Sequence, residues 1–225
     1  MKKQIILGGI AAIFALQATA TLAAKPSSEK EKFSYAIGFQ VGQGFKRDNL
    51  EIDTKTMAQA INDVLGNKEP QITLAEMREA MESAQKKLLA ARTSKGEKAK
   101  TDGQTFLATN KKKADVITRD SGLQYKVLLS GKGKQPSAEA SITAHYRGAL
   151  INGTEFDSSY RRKAPATFSV NQVIPGWKEV LPLMHEGDKW QVFIPSELAY
   201  GERGSGNAIG PNETLVFEIE LIKVN

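Results

Sequence analysis

The sequence predicts an α+β protein: an all-helical amino-terminal dimerisation segment, a long connecting helix, and a carboxy-terminal antiparallel sheet wrapped on one short helix. Three observations lead there. Apolar residues recur every three or four positions between residues 33 and 91, the period shortens to two at Gly122, and beyond Gly122 only the stretch ahead of Pro182 suits a helix.

The first helix is expected from Ser28 to Lys46, where Phe33, Ile37, Val41 and Phe45 recur every fourth residue. Gly38 and Gly42 lie one turn apart within it. An interior helical glycine costs about 1 kcal/mol relative to alanine, so the pair points to close approach of another helix, or else to a kink. A second helix is expected to start at Asp53 as N-cap, with Ile52 and Met57 as hydrophobic staple, and to stop at Gly66; its apolar face is Met57, Ile61, Val64 and Leu65.

Thr73 and Glu76 form a capping box for a third helix, with Ile72 and Met77 at the staple positions. Leu74, Met77, Met81, Ala84, Leu88 and Ala91 then follow as a heptad seam. Beyond Ala91 the chain is almost wholly polar to residue 105 and includes Gly96 and Gly103. If the helix continues to Asn110 its later half should lie in water, and the rod would be roughly 57 Å long at 1.5 Å per residue. Whether the two glycines hinge it is left open. Three amphipathic helices of this size make a small core alone, which predicts a homodimer built on residues 28 to 91, with the methionine-rich seam at or near the contact. The alternative is an intramolecular three-helix bundle.

After Gly122, Leu123, Tyr125 and Val127 alternate with Gln124, Lys126 and Leu128, and Gly131-Lys132-Gly133 turns the chain. A strand from Ser141 to Leu150 meets the hairpin signal Asn152-Gly153 and returns over Thr154 to Asp157. Ala166 to Val170, Lys189 to Ile194 and Thr214 to Val224 complete the strands, and Trp177 to Met184 is the short helix, limited by Pro182. Pro175-Gly176 bends the chain just ahead of Trp177. An indole at a bend is either core filler or the floor of an apolar pocket, and filler is the simpler reading of an isolated tryptophan.

The long loop between Pro195 and Pro211 is rich in glycine, but no Gly-Lys-Ser/Thr follows and it opens neither a helix nor a βαβ unit, so it is not a phosphate cradle. Loops of this length in compact domains are usually functional or disordered, and the aromatic Tyr200 and Ile209 inside this one argue for the former. Lys2 and Lys3, the apolar run Ile5 to Leu16 and the small residues ending at Ala24 read as a secretory signal peptide; the run is too short to span a bilayer. Without residues 1 to 24 the net charge falls from +6 to +4, with 29 basic against 25 acidic residues, and the excess between Lys86 and Lys113 reads as a solvated helical face rather than a surface for an anionic partner. The absence of cysteine excludes disulfides, a lipid-modified cysteine and thiolate catalysis. His145 in a strand and His185 in a charged turn are the only histidines and lack the partners of a metal site or a Ser-His-Asp triad.

Taken in order, Ala144-His145-Tyr146-Arg147-Gly148, Thr154-Glu155-Phe156-Asp157-Ser158-Ser159, Val173-Ile174-Pro175-Gly176-Trp177, Pro195-Ser196-Glu197-Leu198-Ala199-Tyr200-Gly201 and Leu215-Val216-Phe217-Glu218-Ile219-Glu220-Leu221 resemble the FKBP-type peptidyl-prolyl cis-trans isomerases. The likeness covers about half the chain, from Gly122 to Val224. The helical part with its long spacer resembles the exported bacterial macrophage infectivity potentiator (Mip) subgroup, dimers of a helical domain joined by a long helix to the isomerase. The resemblance divides the chain into a signal peptide (1–24), a helical dimerisation segment (25–72), a connecting helix (73–113) and an FKBP-type domain (114–225).

The resemblance also implies a prolyl pocket lined by Tyr146, Phe156, Asp157, Val173, Ile174, Trp177, Tyr200, Ile209 and Phe217, with Trp177 as its floor. Asp157, Tyr200 and Tyr146 are the implied catalytic residues. Tyr200 would donate to the substrate carbonyl, and Asp157 would polarise the site or hold Tyr146. Ala166 stands where many members of the family carry an aromatic, which implies one more open wall. Rotation about X-Pro is opposed by amide resonance with a barrier of ~20 kcal/mol, and a dry apolar pocket favours the twisted, less charge-separated state. Implied partners are proline-containing peptides, unfolded exported proteins, macrolide FKBP inhibitors and a second copy of the chain, with no cofactor, metal or nucleic acid. The implied location is the periplasm, with association at the outer membrane left open. The competing readings are a holdase chaperone, in which the dimeric helical arms bind unfolded chains, and a peptide receptor that keeps the pocket without turnover.

Overall fold

A computed structural model describes residues 25–48 and 50–225; the expected signal peptide lies outside the described residues. The chain divides into two compact units, one ending at Ile52 and the other running from Asp53 to Asn225. In the first, helix α1 spans Glu29–Arg47, capped reciprocally by Ser28 and Glu31. Among the described residues none of α1 is buried, and Phe33, Tyr35, Ile37 and Phe39 are exposed.

The second unit opens with helix α2, Thr54–Leu65, whose N-cap Asp53 accepts from the Thr56 amide at 2.8 Å and whose C-cap is Gly66. Helix α3, Leu74–Asn110, begins at the expected Thr73–Glu76 capping box and runs unbroken through Gly96 and Gly103. Its later half does not lie wholly in water, contrary to the expectation from its polar sequence. Gly96, Gly103 and Asn110 are buried, and the Phe106 ring meets Phe193 at 5.8 Å. The contact uses bare helix backbone at two glycines seven residues apart, so no stripe of apolar side chains announces it.

The strands are β1 (Ile117–Thr118), β2 (Gln124–Leu129), β3 (Ser141–Leu150), β4 (Glu155–Ser158), β5 (Ala166–Ser169), β6 (Lys189–Ile194) and β7 (Leu215–Val224). They form one antiparallel sheet in the order β1-β2-β6-β7-β3-β4, with β5 also paired to β3. The two-residue β1 is too short to leave a periodic signal. Gly153 takes φ +86° in the β3–β4 turn, where Asn152 Oδ1 accepts from the Thr154 amide at 2.9 Å. Simple alternation places Gln124 with the polar side of β2, yet it is buried. Its amide donates to Leu107 O and its carbonyl oxygen accepts from Asn110 Nδ2, both at 2.9 Å, because α3 covers that side.

Helix α4 occupies Pro175–Val180 and tightens into a 3-10 turn at Leu181–Leu183. It starts two residues before the expected Trp177 because proline at the first helical position has a pre-set φ and no amide to leave unpaired. A β-carbon on Gly176 would stand 2.5 Å from Ile194 Cγ2, so glycine lets α4 lie close on β6. Val180, Leu181 and Met184 from this segment close the core over Ile142, Val192, Leu215, Ile219 and Leu221. The loop after β6 is itself folded, with 3-10 turns at Ser196–Leu198 and Gly201–Arg203 and a bridge between Ser205 and Ile209.

Candidate active site

Trp177 is the hub of the site. Only 4% exposed at the start of α4, it is met by Tyr146 from β3, Phe168 from β5 and Phe217 from β7, with centroids 5.6, 5.2 and 5.3 Å away and interplanar angles of 86°, 70° and 81°. Edge-to-face pairs of this kind contribute about 0.5–1.5 kcal/mol each beyond area burial, so the box is held rigid by its own packing. Phe156 from β4 meets Phe217 rather than Trp177, at 5.6 Å and 82°. Register explains the grouping: Gly148 pairs with Asp157 on one side and Phe217 on the other, leaving both phenylalanines room to close over a residue without a side chain.

The remaining expected residues arrive from irregular segments. Val173 and Ile174 pack half-buried on the same apolar cluster, and Ile209 is buried in it from the long loop. The Ile174 amide donates to no hydrogen bond among the described residues. Tyr200 stands apart: it is 38% exposed, and its ring is not among those that meet Trp177. Ala166, half-buried at the start of β5, presents only a methyl group beside Phe168.

One wall is polar. Tyr146 OH donates to Asp157 Oδ2 at 2.5 Å and accepts from Arg162 Nη2 at 2.6 Å, while Arg162 Nη1 donates to Asp157 Oδ1. Each group thus bonds to the other two, and the Arg162 guanidinium also lies 5.4 Å from the Tyr146 ring centroid. Burial works to raise the Asp157 pKa, but the hydrogen bonds from Tyr146 and Arg162 outweigh it and the carboxyl is held below its ordinary value. Burial, aided by the bond to Asp157, raises the Tyr146 phenol above its own. At neutral pH the trio is therefore carboxylate, neutral phenol and guanidinium.

Sequence reasoning picks out neither Phe168 nor Arg162 as a site residue. Phe168 follows from alternation along β5. Arg162 is one of three consecutive cations, Arg161-Arg162-Lys163, and only the turn after β4 singles it out. His145 supports the site from behind: its Nδ1 lies 2.9 Å from Ser159 Oγ, which accepts from the Tyr146 amide at 2.8 Å. Among the described residues no group of three or more histidines and acids converges to hold a metal ion. The arrangement provides an apolar box and one anchored carboxylate; the serine that meets a histidine, Ser159, is fully buried and donates its hydroxyl to the Tyr146 carbonyl at 3.1 Å, so it is not open to a substrate.

Residues 132–222 match the family model described as FKBP-type peptidyl-prolyl cis-trans isomerase, and residues 30–127 match the domain amino-terminal to it. The chain is 40% identical over 229 residues to the outer membrane protein MIP of Legionella longbeachae, covering all of this chain and 98% of that protein. It is likewise 40% identical over 230 residues to the peptidyl-prolyl cis-trans isomerase Mip of Coxiella burnetii, covering 99% and 98%. Among solved structures, FkpA from Escherichia coli superposes with a TM-score of 0.65 at 29% identity, covering 89% of this chain and 99% of that one. With both halves matched in order and relatives aligned from end to end, the chain belongs to the FKBP-type peptidyl-prolyl cis-trans isomerase family, in the arrangement where a helical domain and a long helix precede the isomerase sheet.

Proposed function

We propose that the protein is an exported homodimer that accelerates prolyl-limited folding of exported proteins, catalysing rotation about X-Pro bonds in the box around Trp177. The observation that carries this reading is the convergence of Tyr146, Phe168 and Phe217 on a buried indole with the Tyr146–Asp157–Arg162 trio alongside. A proline ring seated on Trp177, between Phe156, Phe217, Val173, Ile174 and Ile209, leaves water. The preceding carbonyl then loses resonance in an apolar surrounding, which favours the twisted state. Each ~1.4 kcal/mol of that preference is worth tenfold in rate. Tyr200 OH and the Ile174 amide are donors for substrate carbonyls, and the anchored Asp157 keeps Tyr146 in place as a wall.

On this reading residues 1–24 are a signal peptide, 25–72 the dimerisation segment, 73–113 the connecting helix and 114–225 the isomerase domain. Export is supported by the basic, apolar and small-residue series at the amino terminus and by the name of the Legionella relative. Among the described residues no helix is long and apolar enough to cross a membrane. A holdase role is a second reading, favoured by the exposed Phe33, Tyr35, Ile37, Phe39, Val64, Leu65, Leu74 and Met81 of the helices. Cis-trans turnover of a prolyl peptide, measured with and without a macrolide FKBP inhibitor, tests the first reading. Suppression of client aggregation that persists at saturating macrolide would instead credit the helices.

A further inference from the structure

The geometry points to the later half of α3 as a brace that positions the loop carrying Tyr200 and Ile209, with Arg92, Gly96 and Gly103 as positioning residues for the isomerase site. The inference rests on the proposed pocket, since it is the placement of those two loop residues that the brace would govern.

The loop is tied to itself at three places. Gly204 N donates to Tyr200 O at 3.1 Å, Ser205 N to Ile209 O at 2.9 Å, and Asn212 N to Gly201 O at 2.8 Å. These bonds make residues 200–212 one small body, so whatever holds its base sets where Tyr200 and Ile209 stand. Helix α3 holds that base. Arg92 Nη2 donates to Arg203 O at 2.7 Å, and Asn212 Nδ2 donates to Gly96 O at 3.3 Å. Asn212 sits at φ +57°, a conformation that L-residues seldom adopt, and it spends its amide on Gly201 and its side chain on α3.

The two glycines make this approach sterically possible. A β-carbon on Gly96 would lie 3.0 Å from Pro211 Cβ and 3.3 Å from Asn212 Nδ2, and one on Gly103 would overlap Thr214 Oγ1 and lie 3.1 Å from Thr214 Cβ. Interior glycines weaken a helix by about 1 kcal/mol each relative to alanine, and both are placed where the loop's exit presses on the helix axis. The opposite wall of the site, Tyr146, Asp157, Arg162 and Trp177, has no such link to α3. Loosening the brace should therefore reduce the fraction of molecules with the loop in its binding position, which weakens substrate and inhibitor binding in proportion while the polar trio remains intact.

The test uses the full-length protein, a prolyl peptide and a macrolide inhibitor. Arg92→Ala should raise KM and the macrolide Kd about threefold to tenfold with little change in kcat, and Arg92→Lys, which keeps a donor for Arg203 O, should restore both. Gly103→Ala should act in the same direction, and adding Thr214→Ala, which removes the overlapping hydroxyl, should reverse it. Trp177→Leu, run beside them, reports on the pocket itself. If Trp177→Leu weakens macrolide binding while Arg92→Ala and Gly103→Ala leave KM and Kd unchanged, the brace is wrong and the pocket stands. If Trp177→Leu also changes nothing, the pocket reading falls and the brace falls with it.

Discussion

The Tyr146 hydroxyl is held between an acceptor and a donor, donating to Asp157 Oδ2 at 2.5 Å and accepting from Arg162 Nη2 at 2.6 Å. Asp157 is the member of this trio that takes hydrogen bonds from both others, so its removal leaves a cation and a phenol facing the pocket without their common acceptor. Asp157→Ala is expected to lower kcat/KM for a prolyl peptide by about tenfold, on the order of 1.4 kcal/mol, and Tyr146→Phe by less, because Arg162 and Asp157 still pair. Equal turnover by Asp157→Ala and the unaltered protein, in the same coupled assay, rules out a part for this carboxylate.

The same trio fixes a pH dependence. The Asp157 pKa is lowered in the folded protein, burial being outweighed by the bonds from Tyr146 and Arg162, so the unfolded chain binds its proton more readily. Stability from this group is therefore fully present above its ordinary pKa of 3.8 and lost as pH falls below it toward the folded value. Because Asp157 and Arg162 are partly exposed, the contribution is screened and modest. Denaturant unfolding at neutral pH and near pH 3 should show Asp157→Asn losing less stability on acidification than the unaltered protein; identical losses would remove Asp157 from the account.

How far the sequence reveals this depends on which physical signal each part leaves. Capping boxes and period changes are local, so the starts of α2 and α3 and the limits of β3, β6 and β7 are legible to within about a residue. Of the apolar residues gathered around Trp177, Tyr146, Phe156, Val173, Ile174 and Phe217 lie inside the family motifs, whereas Phe168 and Ile209 lie outside them. Arg162 is not legible, since its role depends on a turn that folds it back over Asp157, five residues earlier. The docking of α3 is hidden for another reason: its contacts are glycine backbone and polar side chains, which a hydrophobic pattern reads as solvent-facing. Gln124 shows the same limit, as a buried amide satisfied by Asn110 and Leu107 rather than by anything near it in sequence.

Replacing the hub separates pocket from core. Trp177→Leu keeps an apolar side chain at the start of α4 but removes the surface on which Tyr146, Phe168 and Phe217 pack edge-on. The core beneath, built from Val180, Leu181, Met184 and the sheet, keeps its own contacts. A loss of stability of about 2–4 kcal/mol is expected from the lost volume, with macrolide affinity and turnover falling further than the populations of folded protein account for. Calorimetric titration with macrolide, under conditions where circular dichroism shows the variant folded, makes the comparison; undiminished affinity there would mean the ligand sits elsewhere.

The helical half predicts its own oligomeric state. Val64 is 74% exposed and Leu65 77%, and Leu74 and Met81 at the start of α3 are exposed to a similar degree. Burying such a side chain is worth about 1.5–3 kcal/mol, so a handful of them left in water on a single chain is a strong reason for a second copy to cover them. The protein should therefore sediment at twice the protomer mass. Leu65→Asp combined with Met81→Asp should halve that mass, because two carboxylates placed in an apolar contact must be desolvated without partners. Turnover of a short prolyl peptide should survive the change, since the residues around Trp177 all come from residues 146–217 of one chain. If the unaltered protein sediments as a monomer across micromolar concentrations, the dimer is excluded and the exposed apolar faces become the strongest argument for a holdase.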